Sequence, residues 1–297
     1  YLTGSETKET PSQFYGYTPT VPATGPQSLA NLKMYVAAVE DGGYYGSIDR
    51  YGAYNKGALP YRNGQGITGY RDIALGKLFD FGASENRGAY HDSDSTVGKH
   101  WRLSYEGGSA GYLNCTSAIQ AAGYDFVQNT GTWSFCCAVK FISTAGGGTQ
   151  TIIDNCLNAA TNPGFGIYRT DANTIYVRVS DGLGGVPVGF VINNGFAVAT
   201  AIGTWYFVGA TGDATNVKLY VKAFPGSLAA PTLDAALSAA YGTVLAGTYA
   251  STKAIGVGAY GDGSVGHADI RIKNAALWSV ALTAQQMQDM CNHVVLY

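Results

Sequence analysis

The sequence predicts an all-β protein built as a two-sheet antiparallel sandwich of ten or more strands. Two observations lead to this fold class. The chain carries 41 glycines and 22 tyrosines in 297 residues, and from about His100 short apolar runs are separated by turns that contain Gly and Asn. In these runs every second residue is apolar, so each strand would bury one face and expose the other. Two packed sheets require this pattern.

The clearest predicted strand is WSFCCAVKF, in which alternate residues from Phe135 to Phe141 share one face. Other runs with strand-like patterns are HWRLSY, AGYLN, TIYVRV, NVKLYVK, AIGVGAY and HADIRIK. Residues 223–250 interrupt this rhythm, and we expect a long connection there with a helical turn around residues 233–240.

The sequence LTAQQM after the last run predicts the start of a short C-terminal helix. Thr283 can accept a hydrogen bond from a free N–H of the first turn, and Gln286 can accept one from the N–H of Thr283, which together form a capping box. Leu282 and Met287 occupy the positions of a hydrophobic staple around this box. We therefore expect one or two helical turns at this end of the fold.

Residues 1–98 differ in composition from residues 99–297 and form a separate predicted region. The segment PSQFYGYTPTVPATGP predicts an extended arm. Ser28 followed by helically spaced Leu32 and Val36 predicts a short helix, and a stretch dense in Gly and Tyr comes next. Because Tyr suits interfaces, we expect this region to attach the chain to its own sandwich, to another copy, or to another subunit. A loop-rich cap on the sandwich is the other interpretation.

Charge and hydropathy argue against two classes of partner. Charged residues make up 13% of the chain and the net charge is −2, so the composition does not attract nucleic acid. No apolar run is long enough to span a bilayer. The sequence begins with Tyr rather than Met, which leaves open both a processed chain and an N-terminally incomplete one.

The cysteines favour buried thiols over a disulfide framework. There are five of them, and an odd number argues against complete pairing. Cys136 and Cys137 are neighbours on a predicted strand, so their side chains point to opposite faces. One disulfide that involves Cys115 remains the alternative.

The order of the runs resembles a known family. WSFCCAVKF, TIID, GFGIYR, GTWYFVGATGDATNVKLYV and HADIRIKNAALWSVALTAQQM resemble the laminin-G-like, concanavalin A-like lectin and glucanase domains over about residues 100–297. This resemblance implies a jelly-roll sandwich with Trp133 and Trp205 in its core and the terminal helix packed against its edge. Modules of this family occur on phage capsids, tail fibres and bacterial surfaces, and many bind glycans, often with calcium at the sandwich edge.

The residues themselves argue against catalysis. Glycoside hydrolysis needs two carboxylates that flank the scissile bond, and the family's glucanases place acidic residues in pairs along one strand. From Gly107 to Tyr297 the sequence contains no Glu, and its Asp residues form no strand-spaced pair. We therefore predict that the protein is not an enzyme.

Glycan binding needs an aromatic ring for stacking together with fixed polar groups. The aromatic candidates are Tyr168, Tyr176, Tyr260 and Trp278. Asp181 and Asp262, each beside Gly, are the candidate calcium ligands, although an Asp beside Gly more often only forms a turn.

These observations predict a non-catalytic structural and adhesion protein of a larger assembly, such as a decoration, fibre or tail component of a phage virion. Residues 1–98 would bind copies of the chain or other structural subunits, while the sandwich would face outward and either decorate the surface or bind host-surface glycans. This function places the protein in a virion or in an extracellular surface assembly. The alternative is a free-standing secreted carbohydrate-binding module, with or without a requirement for calcium.

Overall fold

The computed structural model describes residues 31–36, 69–71, 78–81, 89–94, 97–103, 105–106, 109–110, 112–115, 122–144, 148–157, 161–170, 172–182, 199–223, 238–240, 250–251, 253, 255–260 and 266–296. The strands are β1 (Leu32–Val36), β2 (Gly69–Arg71), β3 (Leu78–Phe81), β4 (Ala89–Asp94), β5 (Gly98–Leu103), β6 (Tyr105–Glu106), β7 (Ser109–Ala110), β8 (Leu113–Cys115), β9 (Thr132–Phe141), β10 (Gln150–Asp154), β11 (Pro163–Arg169), β12 (Ile175–Asp181), β13 (Trp205–Asp213), β14 (Asn216–Ala223), β15 (Ser238–Ala240), β16 (Ile255–Val257) and β17 (Ile270–Trp278). The helices are a 3-10 turn (Ala122–Tyr124), α1 (Phe126–Thr130) and α2 (Ala284–Leu296).

The described strands form two large antiparallel sheets, which confirms the predicted fold class. The eight-stranded sheet has the order β15-β14-β13-β9-β17-β5-β4, and β1 pairs with β17 beside this path. The seven-stranded sheet has the order β12-β11-β10-β16-β8-β3-β2. Strands β6 and β7 form a separate small hairpin.

The hydrophobic core lies between the two large sheets. Alternate residues of β9, from Trp133 to Phe141, point inward and are fully buried. The Trp133 ring packs on Phe165 of the other sheet, with ring centroids 5.9 Å apart. Trp205 is in register with Lys140 and so lies on the other face of the eight-stranded sheet, where it is also buried and contacts the His100 ring at 5.3 Å. Both tryptophans are therefore buried, and Trp133 is the one that packs between the sheets.

Helix α2 covers the outer face of the eight-stranded sheet. The predicted capping box is confirmed: the Thr283 N–H donates to Gln286 Oε1 at 2.9 Å, and the Gln286 N–H donates to Thr283 Oγ1 at 3.2 Å. Met287 is buried over Gly209, where a Cβ would lie 2.7 Å from the methionine sulfur. The helix extends to Leu296 and is longer than predicted. No helix in the described ranges is long and apolar enough to cross a membrane.

The short helix predicted after Ser28 is wrong where the structure describes it. Leu32–Val36 is strand β1, which pairs with Trp278 and its neighbours on β17. Apolar residues also alternate along this segment, and Leu32 and Met34 are both buried. Backbone hydrogen bonding to β17 therefore decided the structure over a weak helical propensity. Strands β1 to β4 belong to the two large sheets, so parts of residues 1–98 complete the sandwich. The division of the chain into residues 1–98 and 99–297 stays a prediction.

Two further expectations can be compared with the structure. Ser238–Ala240 is strand β15, so a helical turn at the end of residues 233–240 is wrong. There β15 gains backbone hydrogen bonds from the edge of β14. Buried free thiols are confirmed for Cys136, Cys137, Cys156 and Cys291. The side chain of Cys115 lies outside the described part of the chain.

Candidate functional site

The aromatic residues predicted to bind glycans differ in exposure. Trp278 is 1% exposed and belongs to the core, because its strand lies between β1 and β9. Tyr168 is fully buried and Tyr176 is 9% exposed, whereas Tyr260 is half-buried. Trp278 and Tyr168 therefore offer no free ring face to a ligand, and Tyr260 offers the largest aromatic surface of these candidates.

Tyr168 and Tyr176 lie on the outer face of the seven-stranded sheet. On β11, Phe165 and Ile167 belong to the core between the sheets, and residues that alternate with them point the other way. Tyr168 is in register with Tyr176 on β12 and with Thr151 on β10. Side chains of register partners stand side by side on one face of a sheet.

Tyr176, Tyr168 and Tyr260 form one group of rings, which we call the tyrosine row. Tyr176 stacks on Tyr168 with centroids 4.9 Å apart and an interplanar angle of 29°. Tyr260 meets Tyr168 edge to face, at 6.2 Å and 86°. Both arrangements are favourable for aromatic rings. The buried Tyr168 thus supports two rings that retain some exposed surface.

Glycines provide the space for this arrangement. A Cβ on Gly166 would collide with the hydroxyl end of Tyr168, so the tyrosine ring lies over a glycine of its own strand. A Cβ on Gly256 would lie 2.6 Å from the carbonyl oxygen of Ala259 and 2.9 Å from that of Tyr260. The chain after β16 therefore folds back over Gly256 and carries Tyr260 to the outer face.

Asp154 holds the row from the neighbouring strand β10, where it is in register with Gly166. It is fully buried, and its Oδ2 accepts a hydrogen bond from the Tyr168 hydroxyl. The Leu157 N–H donates to its Oδ1 at 2.9 Å, and the Cys156 thiol donates to its Oδ2 at 3.5 Å. Burial, together with the nearby Asp154 charge, raises the pKa of Tyr168 well above its ordinary value. The Tyr168 hydroxyl therefore remains a proton donor at neutral pH.

The Cys156 thiol packs in this cluster without the properties of a nucleophile. Burial raises its pKa most, and the Asp154 carboxylate raises it further. Thiol chemistry requires the thiolate, which this environment disfavours. Cys156 therefore acts as a small buried donor beside Asp154.

Arg178 brings a positive charge to the same face. It follows Tyr176 by two residues on β12 and is in register with Gly166 on β11, so it lies on the outer side. The residue is half-buried, and its charge acts to lower the pKa of Cys156. Arg178 therefore places a guanidinium group beside Tyr176 on this face.

Arg169 fixes the end of the hairpin that carries Tyr168 and Tyr176. Its guanidinium donates to Thr200 Oγ1, to Gln150 Oε1 and to Asn173 Oδ1 at 2.8, 2.8 and 2.5 Å. It also lies over the Phe141 ring, 4.8 Å from the centroid. Burial lowers the pKa of Arg169 from its ordinary value, but a guanidinium keeps its charge at neutral pH. The network ties β10 to both ends of the β11–β12 turn.

The two calcium candidates, Asp181 and Asp262, are not tested by the described residues. Asp181 is the last residue of β12 and is in register with Pro163, but its side chain lies outside the described residues. Asp262 also lies outside them. The described ranges contain no group of three or more His, Cys, Asp or Glu residues placed to hold a metal ion. Calcium dependence stays a prediction.

Sequence reasoning missed the residues that build the site around the tyrosines. Asp154 has no local motif that marks it, because its partner Tyr168 is 14 residues away and meets it only after strand pairing. The signal that could have been used is GFGIY, in which glycines alternate with apolar residues before Tyr168. Such a strand has one face of side chains and one nearly empty face, on which a large ring can lie.

Comparisons with known proteins support the fold. No family model matches the sequence, and no curated protein matches it either. The binding domain of botulinum neurotoxin serotype C1 is similar in structure, with a TM-score of 0.50 and 11% identity over 90% of this chain and 52% of that one. The binding domain of botulinum neurotoxin DC in complex with rat synaptotagmin II gives the same values. A Trypanosoma rangeli sialidase in complex with the inhibitor DANA has a TM-score of 0.45, with 13% identity over 78% of this chain and 31% of that one.

The chain spans about half the length of the two toxin domains, at 52% of each. At this level of identity the likeness shows a shared β-sandwich of the jelly-roll type. Ligands and activities are properties of sites and not of folds, so the site itself carries the functional argument. Membership of the laminin-G-like family stays a prediction.

Proposed function

We propose that this chain is a non-catalytic binding module and that the tyrosine row is part of its glycan-binding surface. The observation that carries the proposal is the half-buried Tyr260 ring, held edge to face against Tyr168 at 6.2 Å on the outer face of a sheet. Sugar-binding sites combine an aromatic surface with a few fixed polar groups. Here the half-buried Tyr260 supplies the aromatic surface, and Arg178 supplies a polar group on the same face.

The rigidity of the site favours binding. A ligand that stacks on a mobile side chain must offset the loss of rotamer freedom, which costs roughly 0.5–1.5 kcal/mol per side chain. Tyr168 is already held by Asp154 and by the stacked Tyr176. The Arg169 network in turn fixes the hairpin that carries both tyrosines. A preorganised site of this kind loses less entropy on binding.

The same geometry argues against hydrolysis at this surface. Asp154, the carboxylate that contacts the row, is fully buried and accepts hydrogen bonds from a hydroxyl, a thiol and a backbone N–H. A carboxylate in this position cannot reach a glycosidic bond above the rings. Glycoside hydrolysis requires two carboxylates that flank the bond, so we assign the surface to binding.

The experiment is a broad glycan array on wild-type protein and the Tyr260→Ala variant, with calcium and with a chelator. We expect wild type to bind at least one glycan class and Tyr260→Ala to lose about tenfold or more in affinity, because a central aromatic contact contributes over ~1 kcal/mol. The chelator arm tests the predicted calcium dependence separately.

Two control variants make the result specific. Tyr260→Phe keeps the ring and should retain most of the affinity. Ile202→Ala removes an exposed apolar side chain, 45% accessible, from the turn before β13, and should bind as wild type does. The proposal is wrong if no glycan binds wild type, or if Tyr260→Ala binds as tightly as Ile202→Ala.

The assembly role expected for residues 1–98 stays a proposal of its own. Its support is the composition of that region, most of which lies outside the described residues. A virion component and a free-standing module would both use the tyrosine row to bind glycans. Electron microscopy of the native material separates the two settings, because a virion component would appear within regular particles.

A further inference from the structure

A second pair of rings lies near the tyrosine row. Tyr112 immediately precedes β8, and His267 lies in the segment that leads into β17. Their ring centroids are 5.8 Å apart with an interplanar angle of 32°, and both residues are half-buried. We call these two residues the Tyr112–His267 pair. It was not among the aromatic candidates predicted from the sequence.

Backbone contacts connect this pair to the tyrosine row. The Thr151 N–H donates to the carbonyl oxygen of Gly266 at 3.1 Å, which fastens the residue before His267 to β10. A Cβ on Gly266 would collide with the Tyr260 ring and would lie 2.8 Å from Thr151 Oγ1. Gly266 therefore touches Tyr260 on one side and is bonded to His267 on the other.

The pair lies on the same side of the sheet as the row. Ala268, directly after His267, is buried in the core, and its N–H donates to the carbonyl oxygen of Gly258 at 2.8 Å. Val257 also faces the core and is in register with Leu113. Since neighbouring residues in extended chain point to opposite sides, Tyr112 lies on the outer side, and the His267 ring that contacts it lies there too.

The two groups of rings span much of the sheet. Tyr176 is on β12, Tyr168 on β11, and Tyr112 borders β8, with β10 and β16 between them. Four steps between neighbouring strands correspond to about 19 Å at the usual spacing of ~4.8 Å. This distance is too long for one sugar ring and long enough for several in line.

We infer that the Tyr112–His267 pair is a second subsite, and that the preferred ligand is a linear oligosaccharide that lies across the strands from β12 to β8. The inference rests on the proposed glycan-binding function of the tyrosine row. One end of the chain would lie near Tyr176 and Arg178, its middle would stack on Tyr260, and its other end would meet Tyr112 and His267. The ring faces would take the apolar sides of the sugars, while the phenol and imidazole groups would bond to hydroxyls.

Titration calorimetry with ladders of cello-, chito- and malto-oligosaccharides, from one to six units, tests the inference. We expect at least one ladder to bind with an affinity that rises with chain length and then levels off. The double variant Tyr112→Ala/His267→Ala should lose about tenfold in affinity for the six-unit ligand and little for the shortest ligand that binds. Tyr112→Phe keeps the ring and should retain the dependence on length.

The outcomes separate this inference from the proposed function. Binding that is independent of length, or a double variant that binds the six-unit ligand as wild type does, overturns the second subsite and leaves the function of the row in place. The absence of binding by wild type to every ladder and to the glycan array overturns both. Urea unfolding of each variant verifies that a lost affinity does not reflect a lost fold.

Discussion

At the scale of single residues, one buried carboxylate organises the aromatic surface. Asp154 accepts a hydrogen bond from the hydroxyl of Tyr168, and Tyr168 stacks with Tyr176 and makes a T-shaped contact with Tyr260. The carboxylate has no exposed surface, so its desolvation must be balanced by the hydrogen bonds that it accepts. Gly166 contributes by leaving space for the tyrosine ring.

We predict that Tyr168→Phe lowers the free energy of unfolding by about 2 kcal/mol, because it leaves a buried carboxylate with one donor fewer. Asp154→Asn should also destabilise the protein. The double variant should cost less than the sum of the two, by about 1 kcal/mol, since the two groups interact directly. Urea denaturation of the four proteins measures this coupling, and strictly additive effects would contradict the assigned contact.

At the scale of elements, helix α2 depends on both local and long-range hydrogen bonds. The capping box of α2 joins Thr283 and Gln286 within four residues, so its sequence signature was sufficient to predict it. The position of the helix on the sheet depends on residues far apart. Ser134 Oγ donates to the carbonyl oxygen of Val280 and accepts from the Leu282 N–H, both at 2.7 Å.

Removing the cap should destabilise the protein measurably. Thr283→Ala is expected to lower the free energy of unfolding by about 1 kcal/mol, because the first turn loses a hydrogen-bond acceptor. Thr283→Ser should retain most of the stability. Gln285→Ala is the matched control, since it removes an exposed contact to Asp289 that contributes roughly 0.2–0.5 kcal/mol. Equal losses in Thr283→Ala and Gln285→Ala, measured by urea denaturation, would show that the cap does not stabilise the fold.

At the scale of the whole molecule, the two sheets use their outer faces differently. The eight-stranded sheet is covered by α2, which buries Met287, Met290 and Cys291. The seven-stranded sheet carries the tyrosine row with its buried support. Both sheets bury thiols. The side chains of Cys136 and Cys137 point to opposite faces of β9 in the eight-stranded sheet, and Cys156 lies beside Asp154 at the seven-stranded sheet.

This burial predicts a loss of stability in alkali. Burial raises the pKa of Cys136 and Cys137 above the ordinary 9.0, that of Cys291 to about 12, and that of Tyr168 above the ordinary 10.0. Above pH 9 the unfolded chain therefore releases protons that the folded protein retains. The free energy of unfolding has its full value below pH 9 and falls as pH rises above it. Each buried thiol should contribute up to ~1.4 kcal/mol per pH unit in this range.

Urea denaturation between pH 7 and pH 10.5 measures this dependence. Cys137→Ala, compared with wild type at each pH, should show a smaller decline because one retained proton is removed. Stability that does not change between pH 8 and pH 10.5 would contradict the burial of these groups.

The sequence by itself determined the features that depend on near neighbours. Alternating apolar residues determined the strands and the fold class, and four residues determined the cap of α2. Tertiary structure decided which side chains meet. Leu32–Val36 became a strand because β17 offered an edge, and Trp278 was buried between β1 and β9. The tyrosine row and the Tyr112–His267 pair depend on strand order and register, which bring together residues far apart in the chain. Local propensity carries no information about that pairing.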